Sequence, residues 1–179
     1  MAMTLIADNT ADTTDLSDYS ITSGIDSTYK LYIFKVLNVN PANDGTFFQF
    51  QVNASGQSVY NESLQSCFFS AQLAEADSDG ALSYHTSYDQ ANGTSFQYLQ
   101  RMVGNDADQS LSGTLWLFNP SSTTFAKHFY SVFNGVYHAD YSMNTFVSGY
   151  INVTAAITDI QFKMSAGNFD GTIKMYGVG

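Results

Sequence analysis

The chain has few charged residues, few prolines and only one cysteine. Charged residues make up 12% of its 179 positions, and sixteen acidic against six basic residues give a net charge of −10. A phosphate backbone or an anionic membrane surface repels such a chain, and no basic cluster offsets the repulsion. The composition therefore excludes nucleic acids and membrane surfaces as expected partners.

The single cysteine excludes a disulfide within the chain. Cys67 stands in the apolar run "CFFS", where we expect a buried small hydrophobe in preference to a nucleophile. The opening "MAMTLIADNT" has neither the basic region nor the apolar core of a signal peptide, and no run reaches membrane-spanning length. We expect a product made in the cytoplasm without a signal peptide.

Aromatic residues are abundant, at 15% of the chain, and hydrophobic residues reach 44%. Tyr, Phe, Thr, Val and Ile suit a pleated surface, so the composition favours an all-β protein. The length corresponds to one domain. Eight to ten strands can be identified from alternating patterns separated by turn residues, and no convincing helix is present. These features predict a single-domain antiparallel β-sandwich that is jelly-roll-like.

The end of the chain, "ITDIQFKMSAGNFDGTIKMYGVG", illustrates the pattern. Ile160, Phe162 and Met164 share one side of a strand, and Ile173 and Met175 repeat that side after a Gly/Asn/Asp turn. Two such runs predict a closing antiparallel hairpin. Nearer the start, "TYKLYIFKVLNVN" and "TFFQFQVNA" flank the turn "PANDG", which predicts a hairpin or a tight corner between sheets.

Two parts of the domain can be distinguished. Residues 1–27 are rich in Thr, Asp and Ser and are predicted to form an N-terminal arm with a first short strand. Residues 28–179 are predicted to form the jelly-roll sandwich. The first long strand has apolar residues on both faces, and Tyr32, Phe34 and Val36 occupy one of them. Because the outer face of a sandwich is ordinarily polar, these three residues are candidates for an interface in a homotrimer.

No catalytic signature is present. The sequence lacks GxSxG, a phosphate-binding GK[ST] loop and HExxH, so we expect no enzyme, catalytic residue, cofactor or metal site. A turn is predicted near Asn134-Gly135. His128 and His138 flank it and would face each other across the hairpin, with Asp140 as the nearest candidate for a third metal ligand, but ordinary polar residues on strands are the simpler interpretation.

A second pattern is a partial match to a calcium-binding loop. "EADSDG" resembles the first half of such a loop, but Thr86 occupies the position of the bidentate Glu. A weak cation contact near Asp77 and Asp79 is left open, and a solvated acidic loop is the simpler interpretation.

Three aromatic residues lie in segments predicted to be loops or strand ends. Trp116, Tyr137 and Tyr141 are candidates for contact with a glycan or a partner. Aromatic rings also build sandwich cores and subunit interfaces, so both interpretations stay open.

Three segments resemble one group of proteins. "IQFKMSAGNFDGTIKMYGVG" resembles the C-terminal hairpin of small structural proteins of marine tailed bacteriophages, which often end in a "SGN…GTIKLYG" phrase. Residues 23–56 resemble the opening strands of the same proteins, and "LWLFNPSSTTFAKHFYS" is similar to their middle. Together the segments cover under half of the chain, in the same order.

The resemblance implies a trimeric jelly-roll protein exposed on the virion surface, made in the host cytoplasm. Such a protein would decorate and brace the capsid as a cement protein bound to the major capsid protein, with residues 8–27 as a contact arm. The alternative is a tail-fibre or receptor-binding module that contacts tail proteins and host-surface glycans. A stand-alone carbohydrate-binding module is a third hypothesis.

Overall fold

The computed structural model describes residues 2–10 and 12–179. Met1 and Ala11, which belong to the predicted N-terminal arm of residues 1–27, lie outside the described residues. The described chain is all-β and every strand pairing in it is antiparallel, as predicted. Its strands are β1 Met3–Asp8, β2 Tyr19–Ile21, β3 Leu31–Pro41, β4 Thr46–Ala54, β5 Leu64–Ala74, β6 Gly80–Tyr84, β7 Ala91–Gly93, β8 Gln97–Val103, β9 Leu111–Phe118, β10 Lys127–Tyr137, β11 Tyr141–Ile151, β12 Ile157–Met164 and β13 Phe169–Val178. A single 3₁₀ turn, Thr86–Tyr88, interrupts them.

The strands form two arms of one sheet. The large arm has the order β1-β13-β3-β9-β10-β11-β5, and both β6 and β7 pair with β5. The small arm has the order β8-β4-β12-β2. One residue pair, Tyr137 with Val103, joins β10 to β8, and the sheet is nearly closed on itself.

The core lies between the two arms. Three aromatic contacts cross it: Phe34–Phe162 with ring centroids 5.5 Å apart, Phe48–Phe133 at 5.8 Å and Phe50–Phe129 at 5.1 Å. All six rings are at most 2% exposed. Each buried ring contributes a few kcal/mol at about 25 cal/mol per Å², so this aromatic layer is a major source of stability.

The predicted alternation of the two C-terminal strands is confirmed, but the prediction that they pair as a closing hairpin is wrong. Ile160, Phe162, Met164, Ile173 and Met175 are all buried. However, β12 pairs with β4 and β2, whereas β13 pairs with β3 and β1. A period of two determines which side of a strand is buried and leaves its neighbour undetermined. The turn between β12 and β13 therefore crosses from one arm to the other, as does the turn between β3 and β4.

The predicted turn at Asn134-Gly135 is also wrong, because β10 runs straight through these residues. A Cβ at Gly135 would lie 3.0 Å from Cβ of Leu111 and 3.1 Å from Nε2 of Gln100. A side chain at this position would therefore be crowded by its neighbours. The chain turns at residues 138–140, so His128 and His138 lie at opposite ends of β10.

The N-terminal segment packs on the body of the domain. The carboxamide oxygen of Asn9 accepts a 2.7 Å hydrogen bond from the Ile173 amide, and Leu16 forms a bridge with Phe169. Its two strands, β1 and β2, are the edge strands of the large and small arms. The segment is therefore part of the sheet.

Candidate docking face

Six neighbouring strands of the large arm contain no Asp or Glu. They are β3, β9, β10, β11, β5 and β6, so all sixteen acidic residues of the chain lie elsewhere. Along each strand, side chains alternate between the core and the opposite side of the sheet. We call the side chains of these six strands that point away from the core the outer face.

Aromatic rings on this face stack in two places. Trp116 and Tyr130 are directly opposite each other on β9 and β10, with centroids 4.4 Å apart and planes inclined by 12°. Phe69 and Phe146 are opposite each other on β5 and β11, at 5.0 Å and 9°. Opposite residues of an antiparallel pair are about 5 Å apart, so the strand register itself produces these stacks.

The most exposed part of the face is the β5–β6 hairpin. Leu82 is 75% exposed, Tyr84 59% and Leu73 52%. Tyr84 stands opposite Phe69, which extends the row of aromatic side chains towards the edge of the sheet. An apolar surface this broad is uncommon on a monomer and marks an interaction site.

The one charged side chain of the outer face is Lys35. Its Nζ donates a 2.9 Å hydrogen bond to Oγ1 of Thr114 and lies 5.8 Å from the centre of the Trp116 ring. Lys174 of the adjacent strand β13 is its register partner. Enrichment in aromatic residues and depletion of charge distinguish the centre of a protein–protein interface from ordinary surface.

The structure brings together two of the three predicted contact residues. The rings of Tyr137 and Tyr141 are 5.6 Å apart, and the guanidinium carbon of Arg101 is 5.5 Å from the Tyr137 ring. Trp116 belongs to the outer face, next to Tyr130. Tyr137 follows Tyr130 by seven residues, about 23 Å along a strand at 3.3 Å per residue, and belongs to the core-facing set.

The assignment of Tyr32, Phe34 and Val36 to an oligomer interface must be corrected. All three side chains are 0% exposed and lie in the core of the chain itself. They have no free surface for a second copy to contact. The side of β3 that reaches the outer face carries Ile33 and Lys35.

The expected burial of Cys67 is also corrected. Its side chain is half-buried on the outer face, with Sγ 3.3 Å from Oγ of Ser148. The neighbouring Phe68 points into the core instead and is 0% exposed. The apolar run "CFFS" did not reveal which of its residues face the core, because successive side chains of a strand point to opposite faces.

One Ser–His contact has the composition of a nucleophile and base. Nε2 of His85 is 2.8 Å from Oγ of Ser70, and burial lowers the pKa of His85, with Arg101 as the second cause. Ser70 is only 1% exposed, so a substrate carbonyl has no access to its hydroxyl. The nearby Asp89 carboxylate accepts hydrogen bonds from the Phe68 amide and the Tyr84 hydroxyl. The geometry is that of a structural contact.

Acidic side chains converge at one end of the sheet. Glu75, Asp106, Asp108 and Asp140 line a pocket of about 210 Å³, where Nε2 of Gln109 donates to Asp140 at 3.1 Å. Asp77 and Asp79 are not among the lining residues. Across residues 2–10 and 12–179, no group of three or more His, Cys, Asp or Glu side chains has the geometry of a metal site.

Sequence reasoning missed Tyr130, Phe69 and Phe146, although the alternation of β10, β5 and β11 places them on one side of each strand. What the sequence lacked was the strand order that brings them together.

No protein-family model matches this sequence, and a search of curated proteins found no match either. The part of the chain that the structure describes has no helix long and apolar enough to cross a membrane.

Proposed function

We propose that this protein is a non-enzymatic structural protein of a bacteriophage particle that decorates and braces the capsid. The observation that carries the proposal is the outer face, six strands wide and free of acidic residues in a chain of net charge −10. Such a surface is suited to docking on other proteins. The phage context comes from the three segments that resemble marine phage structural proteins. The subunit binds the major capsid protein as an oligomer, with a trimer as the expected state.

The strand order supports a jelly-roll sandwich as the scaffold. Eight strands, taken in chain order as β1, β2, β3, β4, β8, β9, β12 and β13, pair as 1-8-3-6 in one arm and 2-7-4-5 in the other. This order matches the one expected for a jelly roll, an architecture used by viral capsid and lectin domains. The aromatic contacts between Phe34 and Phe162 and between Phe50 and Phe129 support the same interpretation, because they join the two arms across the core.

The remaining strands are additions to this scaffold. β10, β11 and β5 extend the first sheet, and β6 and β7 pair with the outermost of them. These additions carry Tyr130, Phe146, Phe69 and Leu82 of the outer face. A scaffold that has been widened by a sheet with an apolar, acid-free outer side is better explained by assembly than by catalysis.

Quantitative mass spectrometry of purified virions tests the proposal. The abundance of this chain relative to the major capsid protein should correspond to about one copy per capsomer or per local threefold position. A ratio of a few per cent would place the protein on the tail instead. Absence from the particle would refute both virion assignments.

The stack of Trp116 on Tyr130 favours a second candidate, a tail-fibre or receptor-binding module for host-surface glycans. Flat, partly exposed rings can pack against the apolar face of a sugar. This candidate requires a low copy number and glycan binding that Trp116→Ala abolishes. The same glycan binding in a protein that is absent from virions would support the third candidate, a stand-alone carbohydrate-binding module.

A further inference from the structure

We propose that the outer face is covered by another copy of the same chain. This inference deepens the proposed function: the outer face joins copies of the chain to one another, and the contact with the capsid is left to other surfaces such as residues 8–27. The self-association itself stands whether or not the protein belongs to a phage particle. It rests on the distribution of acidic residues, on the opposite charges at the two edges of the large arm, and on the area of the outer face.

The distribution of charge favours this face for self-association. Each chain has a net charge of −10, so two copies repel each other, and contact through an acid-bearing surface would bring like charges together. The six strands of the outer face contain no acidic residue. Carboxylates lie at its borders, where Asp89 accepts a hydrogen bond from Tyr84 and Asp8 is opposite Lys174. A second copy centred on β9, β10 and β11 can therefore pack on the face away from these carboxylates.

Opposite charges lie on opposite sides of the large arm. Lys35 and Lys174 are paired on β3 and β13, towards one edge of its sheet. Glu75, Asp77 and Asp79 form the turn of the β5–β6 hairpin at the other edge. In a cyclic oligomer, one side of each copy meets the other side of the next copy. Lys174 is itself opposite Asp8 on β1, so Lys35 is the cation of this side that can face the acidic turn of the neighbour.

The area of the face is sufficient for a stable interface. The six strands contain 57 residues, and at about 3.3 Å along the strand by about 4.8 Å between strands they cover on the order of 900 Å². A standard interface buries about 800 Å² on each partner. Stacked aromatic pairs near the middle, Trp116 with Tyr130 and Phe69 with Phe146, provide the anchors that such interfaces need.

The test compares single substitutions that add the same charge on and off the face. Leu82→Asp and Leu73→Asp change side chains that are 75% and 52% exposed, so neither removes core packing. Val59→Asp is the matched control, because Val59 is 58% exposed in the connection between β4 and β5. Sedimentation velocity and light scattering follow the assembly of each purified full-length chain over about 1 to 100 μM.

The wild type and Val59→Asp should form the same oligomer. Leu82→Asp and Leu73→Asp should each raise the dissociation constant at least tenfold, with circular dichroism spectra that match the wild type. A wild type that remains monomeric at about 100 μM overturns the proposal. So does an oligomer that all three variants leave intact, since its interface would then lie elsewhere. Virion abundance is measured separately, so failure here is distinguishable from failure of the proposed function.

Discussion

The ring of Phe34 on β3 packs against the ring of Phe162 on β12, with centroids 5.5 Å apart and planes inclined by 55°. Both side chains are 0% exposed. Phe162 also lies parallel to Phe48, at 5.9 Å. Because one residue pair alone joins the two arms through the β10–β8 ladder, side-chain packing of this kind holds the arms together.

Phe162→Ala should therefore lower the free energy of unfolding by about 3 to 5 kcal/mol, the usual cost of truncating a buried phenylalanine. Urea denaturation followed by circular dichroism measures the loss. Phe125→Ala is the control, since Phe125 is 68% exposed and its truncation should cost less than about 0.5 kcal/mol. A loss below about 1 kcal/mol for Phe162→Ala would show that the arms are held by other contacts.

The case of Phe162 shows what the sequence could predict. Its burial, like that of Ile160 and Met164, follows from alternation with Gln161 and Lys163, because successive side chains of a strand point to opposite faces. The partners of its strand could not be derived in this way. β12 pairs with β4, more than a hundred residues earlier in the chain, and such pairings depend on how the whole core closes.

The candidate face was only partly predictable for the same reason. Trp116 was identified as a contact residue, but its stacking partner Tyr130 belongs to a strand whose neighbour was unknown. The absence of acids from residues 31–41, 64–74 and 141–151 can be seen in the sequence. It becomes a continuous surface only when the strand order places these segments side by side.

Lys127 provides a second stability prediction. Its side chain is 0% exposed, and its Nζ donates to the carbonyl oxygens of Val153 at 2.9 Å and Ala155 at 2.6 Å. Burial lowers the pKa of its ammonium group, so removing the charge relieves a desolvation cost. The carbonyls of Val153 and Ala155, whose hydrogen bonds with Lys127 are partly buried, would then lose a charged donor, a larger effect.

Lys127→Met should accordingly destabilise the protein by about 1 to 2 kcal/mol in urea denaturation. Lys30→Met removes the same charge at an exposed position and should leave the stability within about 0.5 kcal/mol of wild type. Equal stabilities for the two variants would mean that the carbonyls of the β11–β12 connection do not depend on Lys127.

His85 predicts a dependence of stability on pH. Burial is the first cause that lowers its pKa in the folded chain, below the ordinary value of 6.5, so the unfolded chain takes up a proton more readily. The contribution of neutral His85 to the free energy of unfolding is therefore fully present above about pH 6.5. It is lost as the pH falls towards the pKa of His85 in the folded chain. Nε2 of His85 lies 2.8 Å from Oγ of the buried Ser70, a contact that a glutamine amide can replace.

As the pH falls below about 6.5, the His85→Gln variant should lose unfolding free energy less steeply than the wild type. Urea denaturation at several pH values measures this slope. Asp8 and Asp26 also have lowered pKa values, through hydrogen bonds from Thr10 and Thr28. Their effect on stability begins only as the pH falls towards their ordinary pKa of 3.8, which lies below the range of His85. His128→Gln, at an exposed position, is the control. Identical slopes for His85→Gln and wild type would contradict the prediction.

Trp116, the single tryptophan of the chain, reports directly on the outer face. Its indole is half-buried against Tyr130, so one part of the ring system still meets water. If another copy covers the face, water leaves that part as the chains associate. The fluorescence emission should then shift by a few nanometres to shorter wavelength as the protein concentration rises, and quenching by acrylamide should decrease.

The same titration with two variants separates coverage of this face from other changes. Val59→Asp should reproduce the wild-type shift, because Val59 lies outside the outer face, and Leu82→Asp should keep the monomer emission over the same concentrations. The sedimentation data give the fraction of oligomer, which the shift should follow. An emission that stays constant while the chain assembles would place the interface away from β9, and the Trp116–Tyr130 stack would then be free to bind a glycan.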